Sequence, residues 1–168
     1  MTTVESTKTG LSEQQLGLIL QYTVEAYKTF EKLAEKLPNP LTAAMFKQFA
    51  EDERETRDLL SLKIEAAGFT RVRVTLGGDL LFEDMLEGSL SWKATTESLI
   101  ARERAMERKL TEFERNASAV DRNLLIYIRA TKRAHIVELE RELELLRIDA
   151  EWFRREDAEW RIVYGPRT

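Results

Sequence analysis

Glu53 stands where a core residue belongs. Phe46, Phe49, Thr56 and Leu60 recur at three- and four-residue steps, the spacing of one buried helix face, and Glu53 completes the series. Three other apolar stripes are interrupted in the same way near their middles. Thr23 breaks the first, Glu103 the third, and Lys132 with His135 the fourth, while Thr56 joins Glu53 in the second. A lone carboxylate in a core is costly unless it is paired or bound to a metal ion. If the stripes pack antiparallel, these six positions come to one level. Two carboxylates, an ammonium and the chain's one histidine then form an internal polar cluster. Such a set can neutralise itself as ion pairs, or Glu53, Glu103 and His135 can hold a metal. Read one at a time, a stripe carboxylate can also sit at the stripe's edge and reach water, and a lone histidine can be a satisfied core residue.

The elements that must carry these residues are four long helices. The first opens at Ser12-Glu13-Gln14-Gln15, a Ser-x-x-Gln capping box, and runs to about Leu37. Pro38-Asn39-Pro40 breaks it, with Asn39 as the next N-cap and Pro40 in the first helical position. The second runs to about Ala67, with Gly68 as its stop. Residues 69–89 lose the helical period. Arg71-Val72-Arg73-Val74 alternates and Gly77-Gly78 marks a turn, so a partly extended crossover is expected, with Arg71 and Arg73 exposed and Val72, Val74 and Leu76 laid on the helices or on a partner subunit. The third helix starts near Ser89 or Ser91 and ends near Asn116, and the fourth starts near Ser118 and weakens after Ala150. Short links join helices one to two and three to four, and one long link joins two to three. That connectivity predicts an all-α fold, a ferritin-like four-helix bundle with one long crossover between helices 2 and 3.

Composition narrows the chemistry. The chain has 168 residues, enough for one domain with a substantial core. We divide it into a disordered N-terminus (1–10), the bundle (11–150) and a C-terminal extension (151–168). Lys plus Arg total 26 and Asp plus Glu 30, a near balance that gives no reason to expect nucleic acid. With no cysteine, disulfides, thiolate metal sites and cysteine nucleophiles are excluded. Gly77-Gly78 has no strand–loop–helix context for binding phosphate. His135, deep in a stripe, is a poor general base for an exposed serine. MTTVESTKTG lacks the basic and apolar regions of a signal peptide, and no stretch approaches the ~18 apolar residues of a membrane span. A cytoplasmic protein with no membrane partner is therefore expected.

The second-helix stretch FKQFAEDERETRDLLSLKIEAAG, with AEDERET at its centre, resembles the second helix of rubrerythrin-type ferritin-like proteins. ARERAMERKLTEF and IRATKRAHIVEL fit the third and fourth helices of the same scheme, so the likeness spans about residues 11–146. The family's di-iron or di-manganese centre takes one Glu from each of helices one and three and a Glu-x-x-His from each of helices two and four. Carried over position by position, Glu53, Glu103 and His135 match. The first-helix glutamate falls on Thr23, the second-helix histidine on Thr56 and the fourth-helix glutamate on Lys132. A cation at a ligand position repels a metal ion, and threonine is a poor ligand beside His or Glu. The resemblance therefore implies a degenerate di-iron site replaced by an ion-pair cluster, in a structural or binding module with no cofactor and no assigned catalytic residue. The alternative is a rubrerythrin-like metalloprotein with altered ligands. In it Glu53, Glu103 and His135, assisted by Gln21, Glu25 or Glu138, carry Fe or Mn for peroxide or oxygen chemistry.

Past Ala150, RIDAEWFRREDAEWRIVYGPRT either overhangs the bundle or folds back onto it. Its Trp152, Phe153, Trp160 and Tyr164 among arginines suit a protein interface, and we expect a homodimer to which it contributes.

Overall fold

The computed structural model describes residues 10–69, 74–82 and 91–165. Among them every regular element is helical: α1 Glu13–Lys36, α2 Pro40–Ala66, α3 Trp92–Glu114, α4 Ala119–Ile148 and a short α5 Ala158–Tyr164, with single 3-10 turns at Gly78–Leu80 and Trp152–Arg154. The chain is all-α.

The helix ends follow local chemistry. Ser12 accepts from the Gln15 amide at 3.1 Å and donates its own amide to Gln15 Oε1 at 2.9 Å, a reciprocal capping box at the start of α1. Asn39 accepts from the amides of Leu41 and Thr42, with Pro40 opening α2. At the far end of α2, Gly68 turns at φ +75°, the Phe69 amide donates to Ile64 and the Gly68 amide to Glu65. That is the Schellman arrangement, in which only glycine adopts the left-handed angle without strain. Ser91 caps α3 and Ser118 caps α4.

α1 packs along α2 and α3 along α4, and the pairs share one core. Leu16, Ile19, Ala26 and Phe30 of α1 meet Phe46, Phe49 and Leu60 of α2, Leu99, Met106 and Leu110 of α3, and Leu125, Ile128 and Leu139 of α4. Each fully buried Leu, Ile or Phe contributes about 1.5–3 kcal/mol against exposure, and this is what holds a polar layer in place at mid-height.

In the crossover, Leu76 and Phe82 are buried and Val74 half-buried, while Arg71, Val72 and Arg73 lie outside the described residues. Arg102 of α3 donates to the Leu81 carbonyl and, at 3.1 Å, to the Ser98 carbonyl, tying this segment to α3. Phe82 leans against the Tyr22 ring at 5.1 Å between centroids. The C-terminal segment turns back rather than overhanging. Trp152, Phe153 and Ala158 are buried, the Asn39 side-chain amide donates to the Trp152 carbonyl at 2.7 Å, and the Trp152 indole N–H donates to Glu142. Glu142 also accepts from Thr42 Oγ1 at 3.0 Å, so one buried carboxylate links α2, α4 and the segment that follows. No helix among the described residues is long and apolar enough to cross a membrane.

Candidate functional site

Thr23, Glu53, Thr56, Glu103, Lys132 and His135 are all at most 1% exposed. Four of them meet. The Lys132 ammonium of α4 contacts Glu53 Oε1 of α2 and lies 3.6 Å from Glu103 Oε2 of α3. His135, one turn on from Lys132, places Nδ1 2.9 Å from Glu103 Oε1 and 3.7 Å from Glu53 Oε1. Its ring stacks on Phe49 at 4.0 Å and meets Phe30 edge-on at 5.7 Å.

The two threonines do not complete the cluster's hydrogen bonds, as the sequence led us to expect. Thr23 donates instead to the Ile19 carbonyl of its own helix at 2.7 Å. This is the local back-bond open to any mid-helix threonine. Thr56 Oγ1 and Glu53 Oε2 are buried without a hydrogen-bond partner among the described residues. Gln21 and Glu25 bond to each other, and Glu138 pairs with Arg141.

Two members were not anticipated. Tyr22 is fully buried and donates its hydroxyl to Glu103 Oε2 at 2.7 Å. Asp52 sets Oδ2 2.9 Å from His135 Nε2 while keeping its side chain 31% exposed. Both were within reach of the periodicity. Tyr22 lies three residues past Ile19, and Asp52 three past Phe49. The stripes are wide enough for adjacent residues to share them, and only one of each pair was assigned inward.

The electrostatics follow from this geometry. A neutral imidazole has a single N–H, and the other nitrogen would face a carboxylate oxygen lone pair to lone pair. Both 2.9 Å contacts are hydrogen bonds when His135 is an imidazolium. Burial works against that cation, but the hydrogen bonds to Asp52 and Glu103 outweigh it and hold the pKa at about 9. Burial also pushes the Glu103 carboxyl up. Lys132, His135 and Tyr22 together overcome that and leave it below the ordinary value. For Glu53 burial wins over Lys132, and its pKa is raised. Lys132 stays charged, because the two glutamates more than offset its desolvation. The Tyr22 phenol is held well above its usual pKa by burial and by the Glu103 charge, so it remains protonated.

Compared with models of protein families and with curated proteins, the chain matches none.

One ligand atom each from Glu53, Glu103 and His135 lie within 4.8 Å of one another, close enough to share an ion. The charge of the surroundings argues the other way. The ammonium of Lys132 occupies the side of both carboxylates that a metal would need, and the imidazole carries a proton on each nitrogen. A divalent ion would have to displace the first and deprotonate the second. With Lys132 in place the residues do not fit a di-metal centre.

Proposed function

We propose that the chain is a ferritin-like four-helix bundle, with one long crossover, whose di-metal site has been replaced by an internal ion-pair cluster. It acts as a structural or binding module. The observation that carries this is Lys132, whose ammonium contacts Glu53 and approaches Glu103 at the position where the rubrerythrin-type pattern has its fourth-helix glutamate. Protein-derived positive charge substitutes there for metal charge, so the carboxylates of α2 and α3 keep a counter-ion. The pairing of α1 with α2 and of α3 with α4, joined by the crossover, supports the bundle topology.

A second reading has one observation in its favour. The converging atoms of Glu53, Glu103 and His135 could carry a single Fe or Mn if Lys132 swung away. Metal analysis by plasma emission, on protein purified after growth in iron- and manganese-supplemented medium, separates the two. Sub-stoichiometric metal is expected, and near-stoichiometric metal sinks the ion-pair reading.

A further inference from the structure

Glu103 and His135 do more than balance charge. They are the middle of a continuous hydrogen-bonded chain leading from a buried phenol to solvent. Tyr22 donates to Glu103 Oε2 at 2.7 Å, Glu103 Oε1 meets His135 Nδ1 at 2.9 Å, and His135 Nε2 meets Asp52 Oδ2 at 2.9 Å. Tyr22 is 0% exposed and His135 0% exposed, whereas Asp52 reaches water. A structural hydrogen bond would end at Glu103. This one continues through two titratable groups to the surface.

We propose that Tyr22 is a redox-active residue, reversibly oxidised to a neutral tyrosyl radical by a high-potential one-electron oxidant, with Tyr22–Glu103–His135–Asp52 carrying the proton. It rests on the function proposed above in one respect, that an ammonium and not a metal holds the cluster's positive charge. In the oxidation one electron passes from Tyr22 to the oxidant and the O–H bond breaks. The phenolic proton goes to Glu103 Oε2. His135 gives its Nε2 proton to Asp52, and so to solvent, becoming a neutral imidazole still protonated at Nδ1. One electron and one proton leave, and re-reduction reverses both movements.

The surroundings favour coupling the two. Lys132 Nζ lies 5.2 Å from the Tyr22 ring centroid, and a positive charge there penalises a radical cation. Electron loss without proton loss is thereby disfavoured, while Glu103 stands in contact to take the proton. Tyr22 is walled from solvent, with Phe82 against its ring, which protects a radical from quenching.

The chain has four tyrosines, and the other three, Tyr27, Tyr127 and Tyr164, are at least partly exposed. The test uses full-length, chelator-treated protein with those three changed to Phe, leaving Tyr22 alone. The oxidant is a photoexcited ruthenium polypyridyl complex with a cobalt(III) acceptor. Optical and electron paramagnetic resonance detection should show a tyrosyl radical that outlives that of free tyrosine. The signal should be lost on adding Tyr22→Phe, and its formation should slow in heavy water. Glu103→Gln, which cannot accept the proton, should also abolish it. If that variant fails to fold by circular dichroism, the isotope effect stands in for it. A Tyr22-only protein that yields no tyrosyl radical, or a signal that survives Tyr22→Phe, overturns the proposal. Metal content measured on the same batch keeps the failures apart. Stoichiometric metal defeats the ion-pair function, whereas metal-free protein without a radical defeats this inference alone.

Discussion

Lys132 and Glu53 form an ion pair across the core with side chains 1% and 0% exposed. Taking two charges out of water is costly, and a pair in such a place stabilises mainly against its own disruption. Lys132→Met leaves Glu53 and Glu103 buried without their ammonium, and should lower unfolding stability by about 3–5 kcal/mol in urea titrations. Adding Glu53→Gln removes one of the stranded charges and should recover part of the loss. A Lys132→Met protein as stable as the parent would mean that the ammonium holds nothing together.

His135 makes stability depend on pH in a defined direction. Its folded pKa is about 9, raised from an unfolded value near 6.5. A raised pKa contributes stability that is complete below the unfolded value and is lost as pH rises through the folded one. Stability should therefore fall between about pH 6.5 and pH 9, by up to roughly 3 kcal/mol. Glu103 and Asp52, with lowered pKa values, act in the opposite sense and lose their contribution as acid protonates them. Since the chain has one histidine, the proton resonance of its ring can be followed without assignment. A midpoint at or below 6.5 would show that the imidazole is not held between two carboxylates.

The sequence shows the helices more clearly than it shows the contacts. Apolar period, the Ser12 box, Asn39-Pro40 and Gly68 place α1 and α2 to within a residue or two, because caps and steps are local. The interruptions Glu53, Glu103, Lys132 and His135 are visible for the same reason. What a local pattern cannot give is azimuth. Thr23 and Tyr22 are neighbours on one wide stripe, and both are buried. Only the packing of α3 decides that the phenol, and not the threonine, meets Glu103. Glu142 was read as one more stripe residue, and its partner Trp152 lies in a segment whose return path has no periodic signature.

That returning segment is only half buried in its own chain. Trp152 and Phe153 dock, but Ile162, Val163 and Tyr164 are 65–69% exposed and Trp160 is 45% exposed. Clustered apolar and aromatic side chains on a surface mark an interaction site, and we expect it to join two copies of the chain. Light scattering should give the mass of a dimer for the full-length protein and of a monomer for Ile162→Glu/Val163→Glu, with unchanged circular dichroism. These substitutions are preferable to truncation after Ala150, which would also remove Trp152 and leave Glu142 and Asn39 short of partners. A full-length chain that scatters as a monomer would end the dimer idea.

The ion-pair reading can also be run backwards. Thr23→Glu, Thr56→His and Lys132→Glu together install the residues that the rubrerythrin-type pattern has at these positions. Glu53 Oε2 and Thr56 Oγ1 are a buried acceptor and hydroxyl without partners, so the α2 side of the cluster already carries unused polar capacity. Removing the Lys132 ammonium eliminates the charge that competes with a metal, and His135 can then give up a proton to become a ligand. Thr23 gives up only a back-bond within α1. The triple variant should be poorly stable as purified without metal, because it buries three carboxylates with no ammonium among them. It should gain several degrees in Tm on addition of Fe(II) or Mn(II) and bind roughly two ions per chain. The single variant Lys132→Glu, with Thr23 and Thr56 unchanged, should bind less. If the triple variant folds but neither binds iron nor gains stability from it, the six positions do not converge as a metal site does, and the replacement of a metal centre by Lys132 is the wrong account of this cluster.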